Sequence, residues 1–301
     1  MHDVIRPAIL RKGSRVGVIS PAGPVREDEI RDGLEMLESY GLDVRVGAHI
    51  FGKRDYLAGE DEIRLFDLHA MFEDREISAI FCSRGGYGTL RLLDRIDYSL
   101  IKDNPKIIVG YSDITALLMA IYKHTGLVTF HGPMVRDFTG DGQGNLRYLI
   151  DSLFSGRPAG LDIAQGKALG HGKAKGPLVG GNLSILCHMV GTPFLPSFKG
   201  CILFLEETGE PLYRIDRMLT HLKLSGLLKD IKGLVAGTFD DCGKTEDIER
   251  LLKDVVYDLG IPAVTGFPAG HGKNNMTIPF GVAALLDTGK MTLSFTDPFI
   301  I

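Results

Sequence analysis

Ser112 lies in the run KIIVGYSDITALLMA (residues 106–120), where four strand-forming residues end in Gly110 and a helical pattern begins. A serine at such a junction projects from the carboxyl end of a strand, where open α/β sheets bind ligands. It also stands at a helix N-terminus, whose free N–H groups can stabilise a developing oxyanion. That is the setting of a nucleophile elbow, although Ile114 takes the place of the second glycine in G-x-S-x-G. The same position suits a helix N-cap, and Asp113 and Thr115 are capping candidates beside it. The loop RGGYG (residues 84–88) ends the preceding strand. Its adjacent glycines allow positive φ and close approach to a ligand, so an amide here could face the same oxyanion as Asp113. Arg84 could pair with a substrate carboxylate. A plain tight turn would use the same residues.

A serine nucleophile needs a base, and the base needs an orienting acceptor. Of nine histidines, His271 stands apart in FPAGHGKNN (residues 267–275), flanked by glycines in what reads as an exposed loop before a strand. A solvated surface histidine is the alternative. His131, in Phe-His-Gly-Pro, is an outer-layer candidate. GCILFLEE (residues 200–207) reads as a buried strand ending in two acids, either of which could accept from the His271 ring. Those acids could instead be solvated, could cap the helix that starts near Pro211, or, for Glu207, could pair with Arg214 or Arg217.

The elements that must carry these groups alternate in the first half. Strands are expected at 15–20, 42–46, 78–82 and 106–109, and helices at 27–40, 60–72, 89–93 and 113–124. This β-α repeat predicts a parallel sheet flanked by helices. The stretch 154–180 is rich in Gly, Ala and Lys and carries no period. The expected organisation is therefore an N-terminal α/β domain over 1–155 carrying the nucleophile, a linker over 156–176, and a smaller α/β or α+β domain over 177–301. In the second half, helices are expected near 182–190, 211–222 and 245–259. Strands are expected at 201–205 and 234–239, with a final β region from Met276.

The chain has 301 residues, 44% hydrophobic and 24% charged, with a formal net charge of −4. That is the balance of a globular protein long enough to bury a core without disulfides or metals. Scattered Lys and Arg argue against nucleic acid as the main ligand. The four cysteines, in no metal-ligand spacing, fit a reducing compartment. No signal peptide or membrane span is expected, so the reading is a cytoplasmic protein.

Eight segments in order carry a wider resemblance: SPAG (20–23), RGGYG (84–88), GYSD (110–113), HGP (131–133), GGNL (180–183), LEE (205–207), YRIDR (213–217) and GHG (270–272). Together they closely resemble the L,D-carboxypeptidase family of serine peptidases, which includes the microcin C immunity hydrolases. The likeness runs from about Arg15 to the C-terminus. It implies a Ser112–Glu206–His271 triad, with Glu206 rather than Glu207 matching the family's fixed glutamate. It also implies an oxyanion hole from the backbone of Gly86 and Asp113, two domains, a homodimer, and no metal or cofactor. The implied substrate is a cytoplasmic murein tetrapeptide that loses its terminal D-alanine in cell-wall recycling. A peptidyl-nucleotide amide of the immunity type is the alternative substrate. A non-catalytic small-ligand-binding α/β protein is the alternative of another class, although RGGYG is neither GxGxxG nor a P-loop.

Overall fold

A computed structural model describes residues 3–156, 161–163 and 166–301. The first half alternates strand and helix. The four expected strands and three of the four expected helices form, whereas Thr89–Arg91 is a 3-10 turn rather than the start of a helix. A strand at 129–131 and helices at 98–103 and 143–155 come in addition. Strands β1 (Arg15–Ile19), β2 (Asp43–Val46), β3 (Ile77–Cys82), β4 (Ile107–Gly110) and β5 (Thr129–His131) are mutually parallel. Between and after them run helices α1 (Glu27–Ser39), α2 (Asp61–Glu73), α3 (Tyr98–Asp103), α4 (Ile114–Thr125) and α5 (Gln143–Ser155). Side chains alternate across this sheet. Ala79 and Phe81 enter a core shared with α1 and α5, while Ile80 and Cys82 enter the opposite core with α2 and α4. Both faces are covered, which is why these strands read as continuous apolar runs. The spatial order 2-1-3-4-5 reverses direction between β1 and β3, the kind of switch point where open α/β sheets open a ligand crevice.

The second half adds β6 (Leu161–Asp162), β7 (Lys167–Gly170), β8 (Lys173–Asn182), β9 (Ile202–Thr208), β10 (Gly233–Asp240) and β11 (Ala263–Thr265). Then follow β12 (Ile278–Phe280), β13 (Ala283–Asp287) and β14 (Thr292–Phe295). Helices α6 (Leu183–Met189), α7 (Leu212–Leu224) and α8 (Thr245–Leu259) pack on the resulting sheet of order 6-14-13-8-9-10-11-7. Strands β8 to β11 are parallel, and the flanking pairs are antiparallel.

Two expectations about the second half need correction. Of the stretch read as a linker, 157–160 and 164–165 lie outside the described residues, but 167–170 and 173–176 are strand. Lys173 to Gly176 alternate exposed and buried, with both lysines outward and Ala174 inward. Small residues on the buried side hide that period in the sequence. The final β region also divides. β13 and β14 join the second sheet, whereas β12 pairs antiparallel with β5, Ile278 opposite His131, and so completes the first sheet. It covers an edge that would otherwise present unpaired backbone groups. Phe299 and Ile300 return to the first sheet's core as well.

α4 joins the two halves. Nine of its twelve residues are buried, because it is packed against both the first sheet and β8. Gly126, at φ +77°, closes it with a left-handed C-cap.

Candidate active site

Ser112 lies between β4 and α4 with φ +63°, a left-handed conformation that costs a non-glycine residue roughly 1–3 kcal/mol. The N-cap position belongs to Asp113 instead, so the capping account of Ser112 fails. Asp113 is itself buried and does not cap with its side chain. Its Oδ2 accepts from the Thr89 N–H at 2.9 Å, and its carbonyl accepts from Thr89 Oγ1 at 2.6 Å. These bonds tie the end of the glycine-rich loop to the serine turn. Burial pushes the Asp113 carboxyl up from its ordinary value, against the hydrogen bonds from Thr89 and Gly88.

The glycine-rich loop lies against the serine. A Cβ at Gly85 would come within 2.9 Å of Ser112 Cβ and 3.1 Å of its Oγ, so only glycine fits. Gly86, at φ +127°, crosses Gly23 of the loop after β1, whose N–H donates to the Gly85 carbonyl at 3.2 Å. Neither the Gly86 nor the Asp113 amide has an acceptor among the described residues. Arg84 is turned into this loop framework. Its Nε donates to the Gly85 carbonyl and its Nη1 to that of Pro24, both at 3.3 Å, beside a hollow lined by Glu29, Phe51 and Lys53.

The two acids at the end of β9 have separate settings because adjacent strand residues face opposite sides. Glu206 is fully buried, and its Oε2 accepts from His271 Nδ1 at 2.7 Å and from the His271 N–H at 3.0 Å. Glu207 faces α6 and accepts from Asn182 Nδ2, the Ser184 N–H and the Thr208 N–H. It thus anchors the start of α6 rather than α7, and Arg214 pairs with Glu210 instead. Gly270 makes the Glu206–His271 approach possible: at φ +112°, its Cβ would fall 2.7 Å from Glu206 Cβ.

His271 is less exposed than its glycine-flanked loop suggests, its side chain being 18% exposed. Its ring lies 4.9 Å from that of Tyr111, the residue immediately before Ser112. This contact brings the histidine loop of the second half onto the serine turn of the first. Burial pushes the His271 pKa down, but the hydrogen bond and charge of Glu206, with smaller help from Glu207 and Asp137, raise it above the ordinary 6.5. For Glu206, burial pushes upward, yet the His271 bond and the nearby imidazoles leave the carboxyl below its ordinary value.

The residues that complete the surroundings are not singled out by the sequence. Tyr111, Asp137, Asn145 and Asn275 line a recess that reaches Gly272. Asn275 accepts from the Gly270 N–H through Oδ1 and donates its own N–H to Asn145, which shapes the histidine loop. On the other side of His271, a hollow of about 400 Å³ runs past Thr238, Phe239 and Phe267.

Residues 16–132 match the family described as the LD-carboxypeptidase N-terminal domain, and residues 175–286 match the LD-carboxypeptidase C-terminal domain. A probable murein peptide carboxypeptidase of Bacillus subtilis (strain 168) is 41% identical, over 95% of this chain and 93% of that one. A murein tetrapeptide carboxypeptidase of Pseudomonas aeruginosa is 35% identical, over 92% and 94%. Among solved structures, an MccF-like protein from Bacillus anthracis str. Ames superposes with a TM-score of 0.88 at 31% identity, covering 97% of this chain and 99% of that one.

Proposed function

The chain belongs to the LD-carboxypeptidase family, and we propose that it removes the terminal D-alanine of murein tetrapeptides through a Ser112–His271–Glu206 triad and an acyl-enzyme. The observation that carries this reading is the 2.7 Å Glu206–His271 bond, set by Tyr111 against the strained Ser112 turn. Because Nδ1 is engaged by Glu206, the proton belongs on Nδ1, leaving the Nε2 lone pair for the base. Nε2 takes the Ser112 proton as Oγ attacks the scissile carbonyl. The Gly86 and Asp113 amides hold the oxyanion, each such donor being worth about 3–4 kcal/mol in comparable acyl-transfer sites. The C–N bond then breaks, and His271 hands the proton to the departing amine of D-alanine. A water molecule, deprotonated by His271, attacks the ester, and His271 hands that proton to Ser112 Oγ as the ester C–O bond breaks and the tripeptide leaves. In this proposal Arg84, whose Nε and Nη1 also brace the loop, pairs with the substrate carboxylate.

The names of the Bacillus subtilis and Pseudomonas aeruginosa relatives support the peptide substrate. The same proposal takes the enzyme to be a cytoplasmic homodimer acting in cell-wall recycling. All four cysteines are free thiols, the form a reducing compartment maintains. No helix among the described residues is long and apolar enough to cross a membrane. A microcin C7 self-immunity protein MccF, solved in complex with aspartyl sulfamoyl adenosine and 26% identical at a TM-score of 0.90, favours a second reading, a peptidyl-nucleotide amide as substrate. Measuring kcat/KM for a murein tetrapeptide beside an aminoacyl sulfamoyl adenosine separates the two. The proposal expects the tetrapeptide to be preferred, and preference for the nucleotide would replace it with the second reading.

A further inference from the structure

Five buried side-chain atoms without a hydrogen-bond partner among the described residues belong to four residues near the triad carboxylate. They are Glu206 Oε1, both ring nitrogens of His131, Asn275 Nδ2 and Thr277 Oγ1. Buried polar groups are rarely left unpaired, so a cluster of them calls for an explanation. His131 is fully buried at the end of β5, opposite Ile278 of β12. Its ring centroid is 5.0 Å from that of Phe204, which shares a face of β9 with Glu206, and 5.8 Å from that of Tyr111. Asn275 stands beside the imidazole without reaching hydrogen-bond geometry. Thr277 Oγ1 borders Gly132, lying 2.7 Å from where its Cβ would be.

We propose that His131 is a positioning residue for the triad, its neutral imidazole donating an N–H to Glu206 Oε1 directly or through one buried water. The second ring nitrogen then accepts from Asn275 Nδ2, and Thr277 completes the network. A neutral imidazole has one donor and one acceptor, and the carboxylate oxygen and the amide NH2 are the complements of those two groups. Burial drives the His131 pKa down to about 4; the Glu206 carboxylate opposes that shift and the His271 imidazole adds to it. His131 therefore stays uncharged while the enzyme works. With one carboxylate oxygen held by His131 and the other by His271, Glu206 cannot rotate away from the base. The charged and titratable groups around this network are Glu206, His271, Tyr111 and, farther out, Asp137 and Glu207.

The inference rests on the triad reading, and His131→Phe tests it because the neighbours Tyr111, Phe204 and Phe280 are aromatic and accept a ring of similar size. The expected result is a fall in kcat of about 10–100-fold, as for other outer-layer partners of catalytic groups, with little change in KM. Removing a donor from Glu206 makes the Glu206–His271 pair more basic, so the acidic limb of kcat/KM should move to higher pH. His131→Gln, which keeps an N–H donor, should recover part of kcat. Wild-type kcat and an unmoved limb in His131→Phe would overturn the proposal. Should that variant fail to fold, imidazole 15N NMR of the wild type decides: one fixed neutral tautomer between pH 5 and 8 is expected, and titration in that range contradicts it. Glu206→Gln measured alongside keeps the two readings apart. An active Glu206→Gln defeats the triad, whereas an inactive one beside a fully active His131→Phe defeats only the role of His131.

Discussion

Glu206 and Glu207 are neighbours in sequence, but their substitutions should fail in different ways. Glu206→Gln leaves the site's shape but replaces the anionic acceptor of His271 Nδ1–H with a neutral amide, whose NH2 can hold the ring in the wrong tautomer. Its kcat should fall roughly 10³–10⁴-fold, as when the orienting carboxylate of another triad becomes an amide, while its melting temperature stays close to wild type. Glu207→Ala strands the donors of Asn182 and Ser184 at the start of α6 and of Thr208 at the end of β9. It should cost about 2–4 kcal/mol of stability for those unpaired groups. Thermal melts beside steady-state kinetics check both, and the reverse pattern would exchange the roles assigned to the two acids. The pH dependence follows from the sign of the His271 shift. The base must be neutral, and its pKa is raised above 6.5, so kcat/KM should fall as pH drops through a value above 6.5. A profile flat down to pH 6 would contradict that assignment. At this scale the sequence singled out Ser112 by its strand–helix junction and His271 by its flanking glycines. Strand alternation left the two acids open, because it says they face apart but not which faces the crevice, and only the family resemblance selected Glu206. Tyr111 and Asn275 lie inside the segments that the sequence offered and Asp137 outside them, but none was singled out, since their role comes from meeting across the two halves.

The elements matter through one junction. At the end of β8, Gly181 has φ +134°, and its Cβ would come 2.5 Å from Thr115 Cγ2 on α4. Thr115 Oγ1 accepts from the Asn182 N–H at 3.1 Å, and Asn182 is paired in register with Glu206. The helix that follows Ser112 is thereby docked to the strands that carry the acid. Gly181→Val should displace α4 and lower kcat as well as stability, overpacking of this kind costing about 1–3 kcal/mol. Gly191→Ala is the control: it too has positive φ, +85°, but nothing lies within 4 Å of its Cβ, so stability alone should fall. Equal effects on kcat in the two variants would refute the docking role of Gly181. Most of the first sheet was legible from its apolar runs and turn residues. The start of β8 was not, because Lys-Ala-Lys-Gly alternates correctly but buries only small side chains.

Over the whole molecule, the chain returns to its first sheet after building the second. β12 completes the first sheet on β5, while Phe299 and Ile300 enter its core. Such long-range pairing leaves no local pattern, which is why a boundary after residue 155 reads well in sequence although the folded chain crosses it. A fragment of residues 1–155 should therefore lack a cooperative thermal transition and a dispersed amide NMR spectrum, and a well-dispersed spectrum would contradict this. The return also builds the proposed site, because Ser112 follows a strand of the first sheet and Glu206 lies on one of the second, and Tyr111 and His271 meet between them. The most direct test of that assembly is mass spectrometry of a murein tetrapeptide incubated with the wild type and with Ser112→Ala. The account predicts loss of one D-alanine residue with the wild type and a rate lower by roughly 10⁶-fold in the variant, the scale of losing a triad serine. Wild-type-like cleavage by Ser112→Ala would contradict it.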